Sequence, residues 1–179
     1  MVIGVPRETH RHEHRVGLNP FAAARLSRQG HTVFVENRAG VEAHFSDQDY
    51  QEAGAKIVYS SDEAYQRADI VCQVGTLSPP ELELVRPGST ICAFHHLAVM
   101  PREMVQKLME LETTLIGYEM IRDSHGEHPI RRPFSEMGGQ MAVLIDGRIE
   151  AFGTVESVVA QTANEGVRQF LRGDDDATG

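Results

Sequence analysis

The feature that most constrains this chain is an alternation. Short β-branched runs exchange with capped, helix-forming stretches from residue 2 to residue 118. Val2-Ile-Gly-Val5, Thr32-Val-Phe-Val35, Lys56-Ile-Val-Tyr59, Ile70 to Val74, Thr90 to Phe94 and Leu115-Ile-Gly-Tyr118 read as strands. The stretches between them carry helix signals. Asn19 is an N-cap with Pro20 at the first helical position, and Gly30 closes that helix. Ser46-Asp-Gln-Asp49 caps a short helix through Ala53, Ser61-Asp-Glu63 opens another, and Pro79-Pro80 starts a helical turn. Pro101 to Leu111 places Met104, Leu108 and Leu111 on one face. Parallel neighbours need crossover connections, and helices of about ten residues supply them. The pattern predicts an α/β fold: a mainly parallel, flavodoxin-like or Rossmann-like sheet with helices on both faces and right-handed crossovers.

The last quarter, from Ser135, changes character. Ser135 reads as the cap of a helix through Met137, Met141 and Leu144, and Asp146-Gly147 is a turn signal. Thr154 to Arg172 reads as an amphipathic helix with Val155, Val158, Val159, Ala163, Val167, Phe170 and Leu171 on one stripe. An isolated helix of that length is marginal in water, so its stripe needs a partner. The expected organisation is a domain over residues 1–142, a hairpin or turn with an amphipathic helix over 143–172 that closes the same domain, and a disordered tail over 173–179.

Composition narrows the function classes. A length of 179 residues buries one proper core and is short for two domains. The net charge of −9 argues against nucleic acid and anionic membrane as partners. No apolar run is long enough to span a bilayer, and the N-terminus reads as a first strand rather than a leader, so a cytoplasmic protein is expected. Cys72 and Cys92, each in a short apolar run, are expected to be reduced thiols in neighbouring strands.

Four places carry candidate chemistry. Arg15 can hold a carboxylate by two parallel hydrogen bonds. His95-His96 follows a strand, and ligands of open parallel sheets bind beyond the carboxyl ends of strands. A histidine there can exchange a proton near neutral pH, and at most one of the two neighbours faces a site. Tyr118-Glu119 ends the next strand and brings Glu119 towards the same crevice. His10, His12 and His14 alternate and would share a face on a strand, but an exposed loop is the commoner setting, so no metal site is expected. No G-x-G-x-x-G follows a strand, no P-loop motif occurs, and there is no nucleophile elbow. No cofactor is therefore expected to bind this chain alone.

The strand and loop sequences together resemble the N-terminal, substrate-side domain of the alanine dehydrogenase/pyridine nucleotide transhydrogenase family. The resemblance covers Met1 to about Ala142. It rests on Ile3-Gly-Val-Pro-Arg-Glu8, Arg15-Val-Gly-Leu-Asn-Pro20, Phe45-Ser-Asp-Gln-Asp-Tyr50, Ala53-Gly-Ala-Lys-Ile57, Leu84-Val-Arg-Pro-Gly88, His96-Leu-Ala98, Gly117-Tyr-Glu119 and Pro133-Phe-Ser-Glu-Met-Gly138. The resemblance implies that Arg15 holds a substrate carboxylate and that His96 acts as acid/base. It aligns Phe134 with a substrate-side methionine. It also aligns Gly75 with a substrate-contacting lysine and Gln140 with an arginine, so this chain departs from the pattern at all three.

The expected site is therefore His96 and Glu119 as catalytic residues with Arg15, His95 and Phe134 binding substrate. The expected function is a stand-alone domain that binds a small 2-oxo or amino acid and carries out non-redox acid/base chemistry. One alternative is the substrate side of a dehydrogenase, with NAD held by a separate Rossmann-domain protein. The other is a regulatory module. A homo-oligomer is expected in each case.

Overall fold

The computed structural model describes residues 1–130, 140–145 and 148–154, the last two segments as backbone. The chain divides into two compact units, Met1–Ile121 and Arg122–Gly179. In the first unit the elements run β1 (Val2–Val5), α1 (Pro20–Arg28), β2 (Thr32–Glu36), α2 (Asp47–Glu52), β3 (Lys56–Val58), α3 (Ser61–Gln66), β4 (Ile70–Cys72), α4 (Pro79–Leu82), β5 (Thr90–Ala93), α5 (Arg102–Glu110) and β6 (Thr114–Gly117). The alternation in the sequence is thus the alternation in the fold.

The caps of α1 and α2 formed where the sequence placed them, and α3 is capped by Ser60, one residue before the Ser61 that opens it. Asn19 accepts from the Ala22 N–H at 2.9 Å. Ser46 and Asp49 form a reciprocal capping box on α2, and Ser60 accepts from the Glu63 N–H. Each cap supplies a partner for N–H groups that the first helical turn leaves without one.

All six strands are parallel, in the order β3-β2-β1-β4-β5-β6. The chain steps outwards through β1, β2 and β3, then crosses back to β4 beside β1. That reversal makes a switch point between β1 and β4. Two cores follow from it. Ile3, Val5, Val33 and Val35 pack with Ala23 of α1 and Tyr50 of α2 on one face. Val71 and Ile91 pack with Tyr65 of α3, Leu82 of α4, and Met104 and Leu108 of α5 on the other. Helices therefore lie on both faces, as the alternation predicts.

The second unit contains an antiparallel pair, β7 (Gln140–Ile145) and β8 (Arg148–Thr154). This corrects the helix expected through Met137, Met141 and Leu144. Gln140 to Ile145 is six residues ending in β-branched and branched side chains, followed by Asp146-Gly147 and a second run with Ile149. An Asp-Gly dipeptide between two such runs is a hairpin signal, and it outweighs the spacing of three residues, which fits either period over so short a stretch. The helix expected over Thr154 to Arg172 and the tail over 173–179 lie outside the described residues. No helix among the described residues is long and apolar enough to cross a membrane.

One buried bond ties the second core to the carboxyl end of β4. Tyr65, fully buried, donates its hydroxyl to Gln73 Oε1 at 2.6 Å. Replacing Tyr65 with Phe leaves that acceptor without a partner in the interior. The expected loss is about 1–3 kcal/mol of stability, read from a urea unfolding midpoint with an unchanged slope. An unshifted midpoint would show that the bond contributes nothing.

Candidate functional site

The strap that leaves β1 builds the site. It is fixed residue by residue over the carboxyl ends of the strands. The Arg7 N–H donates to Glu36 Oε2 at the end of β2, 2.9 Å away. Glu8 spans the switch point and accepts from the Val74 N–H at 2.6 Å and the Gly75 N–H at 3.1 Å. Thr9 donates to Glu81 Oε1 on α4 at 2.9 Å. The His10 ring nitrogen Nε2 lies 2.7 Å from the Thr76 carbonyl.

Further along, Gly17 passes so close to β4 that a Cβ there would stand 2.1 Å from the Cys72 carbonyl oxygen. Tyr50 then donates to the Leu18 carbonyl at 2.7 Å. Arg15 lies between these two anchored stretches.

Arg15 sits with its guanidinium carbon 5.7 Å from the centre of the Phe94 ring. Glu13 grips it from the side, Nε to Oε1 at 2.7 Å and Nη2 to Oε2 at 2.6 Å. This is the two-pronged geometry by which a guanidinium holds a carboxylate. The Arg15 bonds hold the Glu13 carboxyl below its ordinary pKa, with burial opposing. The Arg15 side chain nevertheless stays 47 % exposed, within reach of a solute. Glu13 was not singled out in the sequence. Its signal was its position two residues before Arg15, which puts both on one side of an extended strap.

Phe94 is the hub of the opposite wall. Its ring meets Tyr118 edge-on at 5.4 Å and stacks on His96 at 6.3 Å. His96 adopts a left-handed backbone (φ 49°), a conformation that a non-glycine residue holds only when its surroundings impose it. Its N–H donates to Glu119 Oε1 at 2.9 Å. Burial opposes ionisation of Glu119, and backbone N–H groups of Glu119 itself, His96 and His95 more than offset this, so its carboxyl titrates below the usual value. Glu119 therefore positions the His96 backbone, and its Oε2 is buried with no hydrogen-bond partner among the described residues.

His95 goes the other way. It is 1 % exposed, and its Nε2 lies 3.1 Å from the Ile91 carbonyl. Burial pushes its pKa down. The doublet thus divides as strand alternation requires: His96 stands beside Phe94, and His95 lies inside. Phe134 lies outside the described residues.

A cavity of about 340 Å³ opens between the strap and the loop after β2, lined among others by Arg7, His10, Glu13, Arg15, Arg38 and Glu42. Phe94, His96 and Glu119 do not line it, so Arg15 belongs to both the cavity and the aromatic wall. The three alternating histidines do not converge. His14 pairs with Glu42 at 3.1 Å while His10 turns to Thr76. No group of three potential ligands among the described residues is placed to hold a metal.

Gly75 explains its own departure from the expected lysine. A Cβ there would stand 2.6 Å from the His10 ring. The imidazole occupies the space that a side chain at position 75 would need.

These residues do not fit a dinucleotide at the switch point. The Val74 and Gly75 N–H groups, the donors a pyrophosphate would use, are already bonded to the Glu8 carboxylate, which would repel it.

The family model described as "Alanine dehydrogenase/PNT, N-terminal domain" matches residues 4–138. The chain belongs to this family. It is 32 % identical over 145 residues to the alanine dehydrogenase of Mycolicibacterium smegmatis, covering 81 % of this chain and 39 % of that protein. It is 36 % identical over 145 residues to that of Staphylococcus epidermidis, covering 81 % and 38 %. The chain therefore spans about two fifths of the curated relatives it matches. Among solved structures it is similar to an L-alanine dehydrogenase, with TM-score 0.73 and 38 % identity over 78 % of this chain and 38 % of the other. A transhydrogenase from Sinorhizobium meliloti, at TM-score 0.64 and 23 % identity over 70 % of this chain and 35 % of the other, shares the fold.

Burial raises the Glu8 pKa, with the Val74 and Gly75 hydrogen bonds opposing. A carboxyl raised in the folded state stabilises fully below its unfolded pKa of about 4.3 and loses that contribution as pH rises through the folded value. The stability of the wild type relative to Glu8→Gln is therefore expected to fall as pH increases from about 4.3. Urea unfolding of both proteins across a pH series measures it. A difference that grows with pH would contradict the assignment.

Proposed function

We propose that this domain binds a small 2-oxo or amino acid through its carboxylate on Arg15, with His96 exchanging a proton at the neighbouring carbonyl or amine. The observation that carries this reading is the convergence of Arg15 and His96 on the Phe94 ring. Glu13 already holds the guanidinium in the geometry a substrate carboxylate would take. A ligand carboxylate exchanges with Glu13 or shares the guanidinium edge with it. His96 has an exposed ring and a backbone fixed by Glu119, so it can present a nitrogen without reorganising. Phe94 supplies an apolar surface against which the ligand's carbon chain packs and from which water is excluded.

The chemistry available to these residues is proton transfer, worth about 10²–10⁴-fold from one positioned histidine. Hydride transfer is assigned to a nucleotide domain elsewhere, in a longer chain or a partner. The observation favouring this second reading is that the alanine dehydrogenases matched are more than twice the length of the aligned region. In that reading this domain supplies the carboxylate grip and the proton, and NAD belongs to the other domain.

Calorimetry with pyruvate, L-alanine and related small acids tests the grip. Binding is expected for the wild type and is expected to weaken at least tenfold, about 1.4 kcal/mol, in Arg15→Ala. Equal binding by both proteins would exclude Arg15 as the carboxylate site. His96→Gln is expected to keep binding, because it leaves the Arg15 guanidinium in place.

A further inference from the structure

Cys72 and Cys92 take no part in the reading above, yet the sheet sets them face to face. The β4–β5 register pairs Cys72 directly with Cys92. Neighbouring strands lie about 4.8 Å apart, within the roughly 4.4–6.8 Å between Cα atoms that a disulfide spans. Paired residues of parallel strands point to one face, so the Cys72 and Cys92 side chains stand side by side.

Neither cysteine is sealed in the core. Cys72 lies on the face of the sheet covered by α1 and α2 over β1 to β3. The helices that pack beside β4 and β5 in the first unit, α3 to α5, belong to the opposite face. Both cysteines are half-buried and free. Ile116, on the same face of β6 by register with Cys92, is 40 % exposed.

The two sulfurs are not equivalent. Cys92 keeps the Cys72 thiol protonated, and burial adds to this. The hydrogen bond from Cys72 holds the Cys92 pKa below its ordinary value, with burial opposing. Of the two, Cys92 is therefore the sulfur assigned the attacking role.

We propose that Cys72 and Cys92 form a redox dithiol that closes to an intramolecular disulfide by exchange with a small-molecule disulfide. The Cys92 thiolate attacks one sulfur of the reagent, its S–S bond breaks, and one small thiolate leaves and takes a proton from water. Cys72 then gives its proton to water and attacks the Cys92 sulfur of the mixed disulfide. That bond breaks and the second small thiol leaves. The protein loses two hydrogens with two electrons, and the small disulfide is reduced to two thiols. Closure involves neither Arg15 nor His96, so it stands whether or not a carboxylate binds there.

The test uses the reduced chain, oxidised glutathione as reagent, an acid quench, N-ethylmaleimide and intact-mass analysis. The wild type is expected to lose both maleimide sites, carry no glutathione, weigh two hydrogens less, and recover both sites in dithiothreitol. Cys72→Ser is expected to stop at a stable glutathione adduct on Cys92. Cys92→Ser is expected to react roughly tenfold more slowly at Cys72. A wild type that keeps both maleimide sites, holds a persistent adduct on one cysteine, or forms a disulfide-linked dimer overturns the proposal. The wild-type arm decides the outcome even if a serine variant fails to fold.

Discussion

The Glu8 carboxylate, accepting the N–H groups of Val74 and Gly75, is the bond on which the rest of the site depends. It lies at the point where the sheet reverses direction, between β1 and β4. In an open parallel sheet that crevice is where strand-end N–H groups are available to a ligand. Here the protein's own side chain takes them. The consequence is structural first. The chain leaving β1 is drawn over β4, Thr9 and His10 find partners at Glu81 and Thr76, and Gly17 comes down on the Cys72 carbonyl. Arg15 is suspended between these anchors.

The chemistry follows from that suspension. A guanidinium on a free loop would sample many positions and lose entropy on binding. Arg15 is instead held over an aromatic ring, with Glu13 along its edge and His96 against the same ring. Glu13 keeps the guanidinium oriented and its charge partly compensated while no ligand is present. On the proposed reading, this arrangement lets the domain recognise a carboxylate and handle a proton. It has no spare strand-end donors at the switch point for a pyrophosphate.

Much of this was legible in the sequence because it depends on local signals. The strands and helices of the first unit follow from β-branched runs, Ser and Asn caps, and Pro at first turns. His96 and Glu119 lie just beyond strand ends, where the sequence places them, whereas Arg15 lies well along the strap between β1 and α1. What could not be read depends on contacts far apart in sequence. Nothing local announces that Glu8 reaches across to residue 74, or that His10 fills the space beside Gly75. The expectation that Cys72 and Cys92 lie in neighbouring strands gave their proximity but not their register or their half-buried face. A hairpin or turn is expected over 143–172, but β7 itself reads as helix because Met137, Met141 and Leu144 fit a helical spacing over a span too short to separate the two periods.

The carboxylate-binding group proposed for this domain is the guanidinium of Arg15, held over Phe94. A crystal structure grown with a saturating small 2-oxo acid tests it most directly. The account predicts the ligand carboxylate on the Arg15 guanidinium, with Glu13 displaced or sharing that edge, and the carbonyl turned towards His96. A ligand bound elsewhere, with the Glu13–Arg15 pair undisturbed, would contradict it.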